Sequence, residues 1–340
     1  MRTPISDFDY ILPSEFIAQT PLTPRDASKL LVMDRESGAV SHHIFRDIVD
    51  FLRHDDVLVF NQSKVFNARL TFFFLSKEIE IFVLRIRDNE MDALVRPLKK
   101  IIFDGIWTIG CFTPIAKTTD GIVTFHTGMT AAEMFAYCDE HGSAPTPPYV
   151  TRPLADASQY QTVYAKDAGS VAAPTAGLHF TPELLERIRA KGVQMECVTL
   201  HVGIGTFRPM QSATIEEHVM HSEWVSIDDA TAQRIVEAKK SGRRIIAVGT
   251  TTVRVLEGVT LRRGQLEGYT EEVDMFITPG FSFRIVDGLI TNFHLPKSTL
   301  LVLVSAFAGR EHVLAAYKEA KRQNYRFFSF GDAMFVVPDA

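Results

Sequence analysis

Six short stretches of this chain combine histidine, threonine, glycine and charged residues where one element stops and another starts. In α/β folds such loops are where ligands bind. Residues 169–180 (GSVAAPTAGLHF) offer small side chains, which let a ligand approach the backbone, and lead into a helix start, which attracts anions. Thr175, Gly177 and His179 are the candidates there, with a tight turn and a capping histidine as the plain alternative. Residues 199–209 (TLHVGIGTFRP) carry His201 and the pair Gly203-x-Gly205. The third glycine and the amphipathic helix of a dinucleotide fingerprint are missing, so a turn is the stronger reading of the two glycines.

Residues 216–224 (EEHVMHSEW) place His218 and His221 three apart beside Glu223. No histidine lies four residues after His218, so a polar turn or a substrate contact outweighs a metal site. Residues 248–257 (VGTTTVRVLE) run from a buried strand through Thr250 and Thr251 into a helix, a geometry that offers N–H groups and hydroxyls to an anion. Arg254, one turn further on, either clamps that anion or pairs with Glu257. Residues 288–299 contribute Asn292, His294 and Lys297 beside an apolar helix that Ser298 caps. Residues 325–334 (YRFFSFGDAM) place Arg326 and Asp332 among aromatics that read as core, after a helix bearing Lys318, Lys321 and Arg322. Arginines among aromatics also suit an RNA loop, whose splayed bases stack on rings.

The elements that must position these residues follow from texture. The chain has 340 residues, a length typical of about two domains. Hydrophobic residues make up 46% and charged ones 23%, enough apolar mass to exclude disorder as the main state. A net charge of −5 excludes coating of nucleic acid by the overall field and leaves only a local basic patch. Three cysteines without a C-x-x-C pair indicate neither a disulfide framework nor a zinc ribbon. The first ten residues lack the apolar core of a signal peptide, and the longest apolar run, 300–308, is too short to span a bilayer. A cytoplasmic location is expected.

From Val57 to Val150 the pattern is mostly of short strands with tight turns, which predicts an antiparallel barrel or sandwich. From Thr151 onward helices alternate with strands. Thr181-Pro182 starts a helix that Gly192 stops, and 229–240 is a second helix before the buried strand 243–249. The predicted architecture is an α/β domain of residues 1–66 and 151–340 interrupted by a β insertion at 67–150.

Taken together, these stretches and the N-terminal run closely resemble one family, the S-adenosylmethionine:tRNA ribosyltransferase-isomerases of queuosine biosynthesis. The resemblance rests on Asp7-Phe8-Asp9-Tyr10, on Pro24-Arg25-Asp26-Ala27-Ser28, on Tyr160 to Ala165, and on the motifs around His179, His201, His218, Thr250, Asn292 and Arg326. The match runs in order along nearly the whole chain. It implies a barrel-like α/β main domain with an inserted small antiparallel β-barrel. It implies that S-adenosylmethionine, as a co-substrate with no permanent cofactor or metal, gives up its ribosyl part to the 7-aminomethyl-7-deazaguanine at the wobble position of a tRNA with a GUN anticodon. The products are epoxyqueuosine-tRNA, adenine and methionine.

On that resemblance His179, His201, His294 and Asp332 are the candidates for catalysis. Thr175, Gly177, Gly203, Gly205, Thr250, Thr251, Arg254 and Asn292 are the candidates for holding the co-substrate. Arg25, Asp26, His218, His221, Glu223 and Arg326 are the candidates for the RNA substrate, and a monomer is expected. One segment departs from the family, which usually reads Asn-Asp-Thr-Arg-Val where this chain has Asn61-Gln62-Ser63-Lys64-Val65. Two other readings compete: a metal hydrolase built on His218, His221 and Glu223, and a non-catalytic RNA-binding module.

Overall fold

Short apolar runs separated by capped helices give this chain its order of elements. The computed structural model describes residues 2–74, 77–98, 101, 108–147, 149–152, 154, 156–203, 210–220 and 222–338. The hairpin β1 (Lys29–Asp34) and β2 (Val40–Ile44) is followed by α1 (Ile48–Phe51), β3 (Val57–Asn61) and β4 (Ser63–Val65). Then come β5 (Arg69–Phe74), β6 (Lys77–Arg87), β7 (Glu90–Arg96), β8 (Thr113–Lys117), β9 (Ile122–His126), α2 (Ala131–His141) and β10 (Asp167–Ser170). The remainder is α3 (Pro182–Ala190), β11 (Gln194–Leu200), β12 (Glu223–Ile227), α4 (Asp229–Lys240), β13 (Ile245–Val248), α5 (Thr250–Arg263), β14 (Tyr269–Val273), β15 (Gly288–Asn292), α6 (Thr299–Ala308), α7 (Arg310–Arg322) and β16 (Ala333–Val337).

Two units emerge. The larger comprises Met1–Ser63, Pro148–Lys166 and Pro174–Ala340, and the smaller Lys64–Pro147 and Asp167–Ala173. The sequence boundaries had assigned 167–173 to the larger unit; β10 instead pairs with β4. The smaller unit holds a five-stranded sheet in the order β5-β6-β7-β9-β8, antiparallel throughout, as the strand-rich texture predicted. It also holds α2, which that reading missed although its signature is local. Thr130 Oγ1 accepts from Glu133 N, and Glu133 accepts from Thr130 N, a reciprocal cap.

The larger unit is α/β, built on a nine-stranded mixed sheet in the order β14-β12-β11-β3-β13-β15-β16-β1-β2. This ladder has two ends, β14 and β2, where a barrel-like closure had been expected. Strands β3, β13 and β15 are buried at every residue, as expected of parallel strands covered on both faces. One face packs Leu58, Phe60, Ile246, Val248 and Ile290 against Phe45, Phe180, Leu184 and Ile188. Helix α5 is buried from Thr250 through Thr260, so it has no polar stripe.

Register decides where the chemistry gathers. β11, β3, β13 and β15 run parallel; β12 runs against β11 and β14, β16 runs against β15, and β1 is parallel to β16. The carboxyl ends of β11, β3, β13 and β15 therefore share one edge with the amino ends of β12, β16 and β1. All six candidate stretches reach that edge, the place where open α/β sheets bind ligands.

Candidate active site

At the β15–β1 part of this edge, His179 closes a 3-10 turn, Thr175–His179, and is 4% exposed. Its ring stacks on Phe45 with centroids 4.8 Å apart. Asn292 Nδ2 donates to His179 Nε2 (3.1 Å) and to Phe328 O (3.1 Å), while Asn292 Oδ1 accepts from Thr175 Oγ1 (3.3 Å). With both amide hydrogens committed, Nε2 must be the unprotonated nitrogen, and Nδ1–H donates to Ser28 Oγ (2.7 Å). Burial, reinforced by the charges of Arg25 and Arg326, pushes the His179 pKa down to about 3. Both nitrogens are thus engaged, and the ring is neutral at physiological pH.

His294 lies close by on the sequence side of β15. Its Nε2 meets Thr291 Oγ1 (2.8 Å), its N–H donates to Tyr317 Oη (3.0 Å), and its carbonyl accepts from Tyr10. Burial lowers its pKa to about 3 as well.

At the β3–β11 part of the edge, Asn61 is fully buried and ties three elements together. Its Nδ2 donates to Leu200 O (3.0 Å) and Thr251 Oγ1 (3.3 Å), and its Oδ1 accepts from Leu200 N (3.1 Å) and Ser63 N (3.0 Å). This stitching fixes the exit of β11, where the partly buried His201 stands. His201 Nδ1 lies 2.7 Å from Ser63 Oγ, and its ring stacks on Trp224 at 4.8 Å with 12° between planes.

Across α5 from there, Arg254 pairs with Glu223, both side chains being almost fully buried. Glu223 also accepts from Gly203 N (3.2 Å). Arg254 does not pair with Glu257, its expected local partner. Glu257 instead accepts from the backbone N–H groups of Arg284, Ile285 and Val286 at 2.9–3.0 Å. The metal reading also loses its carboxylate here, because Glu223 is held by Arg254. His218 packs on Phe276, and among the described residues no cluster of three potential metal ligands forms.

Several other sequence candidates have structural partners. Asp332, 2% exposed, accepts from Lys29 N (3.0 Å) and Arg326 N (2.7 Å), which locks the entry to β16 onto β1. Gly177 lacks a side chain because one would not fit: a Cβ there would sit 1.8 Å from Tyr164 Oη. Gly203 differs, since among the described residues nothing lies within 4 Å of where its Cβ would be. Thr250 and Thr251 form the first turn of α5 after Gly249, whose φ of 91° suits glycine. Arg25 donates to Gln159 O, and burial lowers its pKa. Asp26 lies 3.6 Å from Arg46. Gly205 and His221 lie outside the described residues.

Of the RNA-loop reading of residues 318–330, the stacking aromatics are corrected, while Lys321 and Arg322 keep their charges at the surface. Lys321 donates to Ile11 O (2.6 Å) and Arg322 grips Glu319 (2.7 and 2.8 Å), while Tyr325, Phe327, Phe328 and Phe330 are buried and cannot stack on bases. Lys99 and Lys100 on the β insertion, which the sequence also offers as tRNA contacts, lie outside the described residues.

Comparison with known proteins gives this edge its context. A family model described as queuosine biosynthesis protein matches residues 5–336. The S-adenosylmethionine:tRNA ribosyltransferase-isomerase of Heliobacterium modesticaldum is 48% identical over 342 aligned positions, covering 97% of this chain and 98% of that protein. The protein of the same name from Desulfitobacterium hafniense is 46% identical, covering 98% and 99%. The chain belongs to the queuosine biosynthesis protein family. The crystal structure of S-adenosylmethionine tRNA ribosyltransferase from Thermotoga maritima is similar to this family member too. It has 39% identity and a TM-score of 0.59, covering 98% of this chain and 100% of that one.

Within this family member, sequence reasoning missed Ser28, Asn61, Ser63 and Trp224 as neighbours of the site. Ser28 and Trp224 stood inside or at the end of quoted motifs, so their signal was present. Asn61 and Ser63 stood in the segment that departs from the family, but nothing local named their partners, which are 138 to 190 residues away in sequence.

Proposed function

We propose that the edge formed by β11, β3, β13 and β15 is the active site of an S-adenosylmethionine:tRNA ribosyltransferase-isomerase. Relatives of that name at 46–48% identity over nearly the full chain carry this reading. The chain transfers the ribosyl part of S-adenosylmethionine to tRNA and isomerises it, in queuosine biosynthesis. The acceptor is the aminomethyl group of 7-aminomethyl-7-deazaguanine at the wobble position of a GUN anticodon.

The sulfonium acidifies the C5′ hydrogens. A base takes one proton, adenine leaves, the amine attacks, and closure of the epoxide expels methionine. His201 is our choice of base. A histidine held near pKa 3, as His179 and His294 are, is a poor proton acceptor at neutral pH. His201 is partly exposed, and Ser63 and Trp224 fix its ring. His179, Asn292 and Thr175 then form a rigid wall that positions rather than reacts.

The test is mass spectrometry of a modified anticodon stem-loop incubated with S-adenosylmethionine. A mass gain equal to the ribosyl part, with adenine and methionine released in equal amounts, is expected. An unchanged stem-loop overturns the reading. Retention of activity after exhaustive chelation is also expected, and its loss would return the metal hydrolase to consideration.

A further inference from the structure

The buried pair of Glu223 and Arg254 is complete on the acid and incomplete on the base. Glu223 accepts from Arg254 Nη1 and from Gly203 N. Arg254 is 4% exposed, yet its Nε and Nη2 are buried with no hydrogen-bond partner among the described residues. These two nitrogens lie on the same side of the guanidinium plane. Their N–H bonds point in parallel, at the spacing of two carboxylate oxygens. A buried donor left unpaired is costly, so an entire unpaired two-donor edge is an expensive feature to keep for structure alone.

We infer that this edge receives the carboxylate of the amino-acid end of S-adenosylmethionine. The inference rests on the function proposed above and names the group that this end of the site holds. The guanidinium's two coplanar donors match a carboxylate or a phosphate alike, so the choice rests on the charge beside them. Glu223 sets a negative charge directly beside Arg254, complementary to an ammonium on the carbon that bears the carboxylate and repulsive to a second phosphate oxygen. Arg254 also lies one turn past Thr250, on the same side of α5, so the positive end of that helix adds to the field.

Calorimetric titration of the full chain with S-adenosylmethionine and with its decarboxylated analogue tests this directly. Losing a bidentate charged contact should weaken binding of the analogue roughly 10²-fold in the wild type. In Arg254→Lys, which keeps the charge beside Glu223 but cannot form both parallel bonds, the preference should collapse to a few-fold, with binding of the analogue unchanged. Thermal melting checks that the variant is folded, and the wild-type arm does not depend on it. Equal affinity of the wild type for the two compounds overturns the inference, as does a preference that survives in Arg254→Lys. Loss of stem-loop affinity alone in the variant assigns the edge to a phosphate and overturns it too. If the wild type binds neither compound and leaves the stem-loop unmodified, the proposed function itself has failed.

Discussion

The two ends of the site differ in how completely their polar groups are satisfied. Around His179, both ring nitrogens and both Asn292 amide hydrogens are engaged: Ser28, Thr175, Asn292 and the Phe328 carbonyl form one connected network. Around Arg254, one side of a buried guanidinium has no hydrogen-bond partner among the described residues. A closed network of this kind rigidifies, because each member holds its neighbour in one rotamer and one tautomer. An open one keeps donors in reserve. The difference separates residues that shape the site from residues that take hold of something in it, a distinction that residue type alone does not make.

The largest effect should come from exchanging the roles assigned to two histidines. His201→Ala should lower turnover by about 10²–10⁴-fold while stability changes by less than about 1 kcal/mol. His179→Ala should do the reverse in kind. It leaves the Ser28 hydroxyl and an Asn292 hydrogen unpaired in a buried place and opens a cavity, for a loss of about 2–4 kcal/mol in urea unfolding. If His201→Ala turns over normally and His179→Ala is folded but inactive, the closed end is where the chemistry happens and the comparison is inverted.

Breaking the open end should also be costly. Glu223→Ala strands the Arg254 charge in a dry environment, and removing one partner of a buried pair typically costs about 3–5 kcal/mol. The double variant Glu223→Ala/Arg254→Met should recover most of that loss, since the uncompensated charge is gone. A double variant no more stable than the single would mean that the pair is not held by the mutual need of its two charges.

The pH dependence of stability sharpens the contrast, because the closed end contains a titrating group far from its usual range. The folded-state pKa of His179 is about 3 and the unfolded value is about 6.5. Between those values the unfolded chain binds a proton that the folded chain refuses. Stability is therefore full above pH 6.5 and declines as the pH falls toward 3, by about 2 kcal/mol from this group at pH 5. His294 acts in the same direction. Urea unfolding at pH 7 and pH 5 should give a clearly smaller drop for His179→Gln than for the wild type. An equal drop in both would mean that this histidine is not held neutral by its surroundings.

The parts of the molecule that the sequence made legible are those with local causes. Thr181 and Pro182 announced α3, Ser298 announced α6, and both caps accept from the N–H three residues on. The alternation of α3, β11, α4 and β13 was readable for the same reason. Partners across the sheet were not. Arg254 had Glu257 within reach on its own helix, and only the pairing of β11 with β12 brings Glu223 closer. The aromatics from Tyr325 to Phe330 read equally well as core or as an RNA platform, and packing around Phe293 and Tyr317 decides for core. Composition selected the edge; tertiary hydrogen bonding sorts the residues on it.

The smallest predicted effect concerns a glycine that sequence reasoning assigned to the co-substrate. A Cβ on Gly177 would lie 1.8 Å from Tyr164 Oη and 2.9 Å from a Thr162 methyl. Something must move, and overpacking of this kind typically costs about 1–3 kcal/mol. Tyr164 Oη is itself buried without a partner, so Tyr164→Phe alone should be neutral or slightly stabilising. Combined with Gly177→Ala it should recover part of the loss, because the nearest clashing atom is gone while the ring carbon at 2.8 Å remains. Unfolding of the four proteins gives the coupling between the two positions. If Gly177→Ala is as stable as the wild type but binds S-adenosylmethionine more weakly, the glycine clears space for the ligand rather than for Tyr164, and the closed end extends less far along the edge than proposed.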